Sequence, residues 1–206
     1  MISIARLLLF FVITMGYNAF FRNTVKMNRS LTWVFTFSVI TLVLYLGSLL
    51  GFMLQTVYAI SVLGCLLSLY YLWAVWKKKY RFGRLDYIAL GMMAYLLLFG
   101  ITLWHSPLLH YDNFTHWATI VKFFHINNAL PTQQDTIISY YTYPVGSSLF
   151  IYFFTTIVGF SEGSMLVGQF FLIASSLYAM FAALRDDRRV LMVSMIFASF
   201  AVFNTF

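Results

Sequence analysis

The stretch LTWVFTFSVITLVLYLGSLLGFM occupies positions 31–53 and contains no charged residue. A helix rises ~1.5 Å per residue, so a run of this length covers the ~30 Å apolar core of a bilayer. In lipid every backbone N–H and C=O must be satisfied within its own segment, which makes the run a helix. A barrel strand is a poor alternative, because its residues alternate in polarity and these do not. Outward from this segment the pattern repeats at about 3–21, 55–76, 86–104, 145–160, 164–184 and 190–206. The expectation is an all-α polytopic membrane protein with about seven transmembrane helices.

Composition points the same way. The 206 residues are 62% hydrophobic and 9% charged, against about 25% charged in a soluble domain. Such a chain cannot cover its apolar surface in water, so the lipid bilayer is its expected partner. The formal charge of +7 does not indicate nucleic acid. The bases sit in short clusters between apolar runs, as in loops that meet anionic lipid. Cys65 lies alone within an apolar run and can form no internal disulfide. The first segment follows Arg6, but Tyr17, Phe20 and Phe21 exclude a small-residue cleavage site, so it reads as an uncleaved span.

Lys and Arg in short loops set the expected orientation. Arg22, Lys26 and Arg29 follow the first segment, and Lys77, Lys78, Lys79, Arg81 and Arg84 follow the third. Both loops are expected to be cytoplasmic. The turn near 52–55 and the loop 105–144 then face the non-cytoplasmic side. This assignment meets a conflict at Arg185-Asp186-Asp187-Arg188-Arg189. If 145–160 and 164–184 both cross, that basic cluster falls outside. Either one of the two segments is re-entrant, or both cross and the arginines are held outside for a purpose such as binding phosphate. The second alternative is the expectation taken here. The sequence stops at Phe206 within or at the end of an apolar run, and is expected to be the N-terminal part of a longer protein.

The loop 105–144 carries most of the chemistry. All four histidines, His105, His110, His116 and His125, lie in it with Asp112, Lys122 and Asp135. At helical period Asp112, His116, Thr119 and Lys122 form one polar stripe. Phe114, Trp117, Ile120, Val121, Phe124 and Ile126 cover most of the opposite side. A helix of about 14 residues with this pattern is expected to lie flat at the outer interface, aromatic face down. Asp112 or Asn113 also fits a helix N-cap. The histidine spacings lack the tight pattern of a zinc motif, so no metal site and no cofactor are expected. Asn127-Asn128-Ala-Leu-Pro131 reads as a helix stop. Tyr140-Tyr141-Thr142-Tyr143-Pro144-Val145-Gly146 then enters the next segment, with proline where a helix start favours it. The tyrosines equally fit an aromatic belt.

These residues resemble the GT-C class of membrane glycosyltransferases, among them the protein O-mannosyltransferases and bacterial aminoarabinose transferases. The resemblance rests on an Asp before a Trp-bearing amphipathic helix, a Leu-Pro stop, and Tyr-Pro-x-Gly opening a span. It covers roughly 86–206, with 1–85 as three additional N-terminal transmembrane helices, and only about 105–150 is distinctive. The family's second proline is Val145 here. The resemblance implies a glycosyltransferase that moves a sugar from a polyprenyl-phosphate carrier to an acceptor at the outer face. Asp112 takes the place of the catalytic base by motif position. His116, Lys122, Tyr143, Arg185, Arg188 and Arg189 are the candidates for substrate and carrier phosphate. If the catalytic cavity needs helices beyond Phe206, the chain alone is inactive.

Two other classes compete. A transporter component would place ionisable or Gly/Pro-interrupted segments near the midplane of paired repeats, and neither feature is visible. A non-catalytic assembly or sensor protein would use the histidines as an outward pH sensor.

Overall fold

A computed structural model describes residues 4–79, 87–135, 137–138 and 141–183. They form eight α-helices and one short 3-10 turn, with no strand among the described residues. The helices are α1 (Ile4–Asn23), α2 (Arg29–Leu49), α3 (Met53–Trp76), α4 (Tyr87–Trp104), α5 (Tyr111–Thr115), α6 (Trp117–Asn127), α7 (Gly146–Val158) and α8 (Glu162–Met180). Helices α1, α2, α3 and α8 are long and apolar enough to cross a membrane. Apolar side chains such as Leu42, Leu63, Leu66 and Leu98 cover their outer faces and that of α4, a surface suited to lipid rather than water.

The first three helices form a compact unit through small residues. A Cβ added at Gly16 would lie 2.1 Å from the Gly64 carbonyl oxygen, so only glycine lets α1 and α3 approach so closely. Ser68 on α3 donates to the Val12 carbonyl, and the Tyr17 hydroxyl donates to the Ile60 carbonyl at 2.7 Å. Asn18 donates to Thr32 at 2.8 Å and joins α1 to α2. Helix–helix hydrogen bonds of this kind hold bundles together where lipid removes the hydrophobic drive.

Helix α4 runs antiparallel along α8. Its Ile88, Met92 and Tyr95 pack with Phe170, Ala174 and Tyr178 near the far end of α8. Its last residue meets the start of α8, where a Cβ at Gly163 would lie 2.0 Å from the Trp104 carbonyl oxygen. Leu108 N–H donates to the Glu162 carboxylate at 2.9 Å across the same junction. The chain therefore leaves one end of the bundle after Trp104 and returns to that end at Glu162. Everything between them, α7 included, is an excursion from a single end.

This arrangement differs from the expected row of seven spans. Helix α7 has 13 residues, about 20 Å, and falls short of a ~30 Å core. It is also enclosed: Leu149 through Thr155 are all buried. Phe150, Phe153 and Phe154 pack against Phe10 of α1, and Phe150 also meets Phe37 of α2. Helix α4, with 18 residues, is the other short apolar helix. The segment 190–206 lies outside the described residues.

The helix expected to lie flat over the loop is two helices. The chain breaks at His116, whose φ of −125° and ψ of −107° cannot continue α5 into α6. Beyond the break Ala118, Ile120, Val121 and Phe124 are buried against α7 and its neighbours. The apolar face of α6 is thus spent on protein, while Phe114 and Ile126 stay exposed. The helix stop is where the sequence places it: α6 ends at Asn127, and Asn128 takes the left-handed conformation at φ 49°.

Candidate functional site

The entry to α7 builds one wall of a groove of about 840 Å³. Residues 141–147 line it, opposite Ser38, Thr41 and Tyr45 of α2 and Leu172 and Ser176 of α8. Leu130 and Pro131, just past the α6 stop, close a third side. Pro144 and Gly146 shape this entry: proline fixes the backbone before the first turn, and Gly146 brings the start of α7 near Thr41.

The lining is rich in hydroxyls and holds no ionised side chain among the described residues. Thr41 donates its proton to Phe37 O at 2.8 Å, and Ser176 to Leu172 O at 3.0 Å. Their oxygens are therefore presented to the groove as acceptors. The tyrosines add ring faces and phenolic groups beside them. Such a surface suits a neutral, hydrogen-bonding and partly apolar ligand.

Two of the expected site residues meet at the rim. The His116 ring lies 5.3 Å from the Tyr143 ring, centroid to centroid, and its Nδ1 contacts the Thr115 hydroxyl. Asp112 stands one helical turn earlier and is exposed. Its backbone carbonyl accepts from His116 N–H at 3.0 Å, and its carboxylate lies 3.5 Å from His110 Nδ1. His110, not Asp112 or Asn113, is the N-cap of α5, accepting from Asp112 N–H at 3.3 Å. Lys122 is exposed on α6 and does not line the groove. Arg185, Arg188 and Arg189 lie outside the described residues. The polar stripe of Asp112, His116, Thr119 and Lys122 is accordingly split between α5 and α6.

The remaining polar residues of the excursion mostly hold its shape. Asp135 accepts from the backbone N–H and the hydroxyl of Thr132 at 2.7 and 2.8 Å, closing a tight turn. Tyr152 donates to Asn128 at 2.8 Å and ties the α6 stop to α7. His125 is half-buried, with Nε2 2.8 Å from the Thr155 hydroxyl and its ring against Tyr152 and Phe160. Burial pushes its pKa down to about 4, so its imidazole is neutral near pH 7. The four histidines do not converge, and no group of three metal-ligating side chains occurs among the described residues.

No family model, curated protein or solved structure matches this chain. Its site is therefore read from its own geometry. The wall that sequence reasoning missed is α2, where Ser38, Thr41 and Tyr45 recur at helical spacing. Within a 21-residue apolar helix their hydroxyls look like ordinary span residues, and only the shared face marks them.

Proposed function

We propose that this chain is a GT-C-like membrane protein that holds a polyprenyl-phosphate-linked sugar in the groove at the start of α7. The observation that carries the proposal is the place of the Tyr-Pro-x-Gly stretch. The segment on which the resemblance rests lines the groove, and His116 rests on its Tyr143. In this reading the segment 105–161 is re-entrant from the non-cytoplasmic side, and α7 does not cross. A re-entrant 105–161 leaves 164–184 as the fifth crossing, and a basic cluster that follows the fifth crossing agrees with the positive-inside rule. The groove takes the sugar in this reading, and carrier phosphate is left to Lys122, outside it on α6.

The chemistry assigned to Asp112 is general-base catalysis. An acceptor hydroxyl attacks the anomeric carbon and passes its proton to the Asp112 carboxylate. The anomeric carbon–oxygen bond to the phosphate breaks, and the phosphate leaves with that electron pair. One observation favours a second reading, a non-catalytic assembly or sensor protein: Asp112 is exposed and does not line the groove.

Two measurements test these statements. With Cys65 replaced, single cysteines at Thr115 and Gln134 are expected to label from one side of the membrane, and one at Asp187 from the other. Labelling of all three from the same side overturns the re-entrant arrangement. A photoreactive polyprenyl-phosphate analogue is expected to crosslink within 141–147. Asp112→Asn should leave that crosslink intact and lower sugar turnover, in the longest form of the protein that shows any, by about 10²-fold or more. Unchanged turnover removes the base and leaves the non-catalytic reading. No crosslink within 141–147 removes the lipid-linked sugar altogether.

A further inference from the structure

The polar groups of the groove differ from wall to wall. On the α2 side the Thr41 hydroxyl donates its proton to Phe37 O at 2.8 Å. On the α8 side Ser176 donates its own to Leu172 O at 3.0 Å. A hydroxyl has one proton, so both oxygens meet a ligand only with lone pairs. The α7 side offers the reverse. Val145 caps that helix without a side-chain hydrogen bond. Gly146 and Ser147, which line the groove, stand in the first turn, where N–H groups have no intrahelical acceptor. The Ser38 and Tyr45 hydroxyls have no hydrogen-bond partner among the described residues and can act either way.

A wall of acceptors opposite a wall of donors discriminates by charge. An anion accepts from the N–H groups but is faced by the lone pairs of Thr41 and Ser176. A cation donates to those lone pairs but is faced by the N–H groups and the positive end of α7. A sugar hydroxyl both donates and accepts, so a neutral sugar satisfies both walls at once. Tyr45 and Tyr141 add ring faces, whose negative π-surface suits the C–H bonds of a sugar ring. The volume of about 840 Å³ lies in the ~300–1,000 Å³ range of small-ligand sites. Resting on the function proposed above, we infer that the sugar taken is a neutral one, held by its hydroxyls between Thr41 and Ser176 and the start of α7. Thr41 and Ser176 are then specificity-determining residues. Uronic acids and sugars with a free amine are disfavoured, and the carrier phosphate stays outside the groove.

The test is competition, on the full chain in detergent, against the photoreactive polyprenyl-phosphate analogue that crosslinks within 141–147. The competitors are farnesyl phosphate, bare or carrying glucose, glucuronic acid or glucosamine. The glucose compound is expected to compete at about tenfold lower concentration than the other three, the effect of leaving a wall unsatisfied. Thr41→Val keeps the side-chain shape and removes the acceptor. It should weaken the glucose compound about fivefold, as one lost hydrogen bond does, and leave the bare phosphate unchanged. Ser176→Ala should act likewise, and Thr41→Ser should retain the preference. Size-exclusion behaviour and helical circular dichroism of each variant distinguish lost binding from lost folding. Equal displacement by all four competitors leaves the proposed function standing and overturns the neutral-sugar assignment. A glucose preference untouched by Thr41→Val and Ser176→Ala overturns the role of these residues. No crosslink within 141–147 removes the proposed function itself, and the neutral-sugar assignment with it.

Discussion

Helices α3 and α7 are both apolar nearly from end to end, and their surroundings are opposite. On α3 the buried positions are Met53, Val57, Ile60, Gly64, Ser68, Tyr71 and Ala74, at spacings of three and four. Between them Leu63, Leu66, Leu69 and Leu72 are more than half exposed. On α7 eight consecutive residues, 148–155, are buried, so that stretch of the helix has no outer face. Hydrophobicity along a chain therefore does not separate a helix that meets lipid from one that meets protein. Length and side-chain type do better: α3 has 24 residues with glycine and serine at its contact, and α7 has 13 with phenylalanine at three of them.

The comparison breaks most easily at α7. Phe154 is fully buried between Phe10, Phe171 and Gly168. Phe154→Ala is expected to cost about 3–5 kcal/mol, read from reversible unfolding in mixed micelles. A cost below about 1 kcal/mol would show that α7 is not enclosed.

A smaller effect is expected where α6 is pinned to α7. Thr155→Val removes the hydroxyl that meets His125 and leaves a half-buried imidazole nitrogen without it, costing about 1–3 kcal/mol. The same contact carries a pH dependence. His125 has its folded pKa near 4, below the ordinary ~6.5 of an unfolded histidine. The unfolded chain then binds more protons between these values, so stability falls as pH drops from about 6.5 towards 4 and is flat above. His125→Gln should flatten that slope in pH-dependent unfolding curves; an unchanged slope would assign it to other groups.

The smallest effect belongs to α3. Leu66→Ala on its outer face should change stability by no more than about 0.5 kcal/mol, because its side chain leaves one apolar medium for none. A loss of 2 kcal/mol there would mean that a protein partner, not lipid, covers α3.

Much of this fold was legible in the sequence. The six described apolar segments lie within a few residues of α1, α2, α3, α4, α7 and α8, since continuous apolar runs bounded by charge or turn residues leave little choice. Asn128 was legible as a stop because asparagine tolerates the left-handed conformation that ends α6. The break at His116 was not, because the local pattern is helical on both sides and the burial of Val121 and Phe124 under α7 decides it. Of the expected site, the Tyr143 entry was readable from proline and glycine, and its contact with His116 is a tertiary fact. The α2 wall carried only a faint signal, three hydroxyl residues on one face. The common end shared by Trp104 and Gly163 was not legible: of the two solutions to the arginine conflict at 185–189, the expectation took the one in which 145–160 and 164–184 both cross.

That shared end has a consequence for how the protein is made. As the ribosome extends the chain, α4 is complete long before α8 exists. Helix α7 emerges between them, too short to be accepted by the bilayer on its own and too aromatic to rest in water. Part of its shelter, Phe171 and Gly168, is encoded downstream. The excursion must therefore wait, covered only on its α1 and α2 side, until α8 arrives beside α4 and locks Gly163 under Trp104. A chain stopped before residue 162 would hold Phe154 without that cover, and is the form most exposed to quality-control proteolysis.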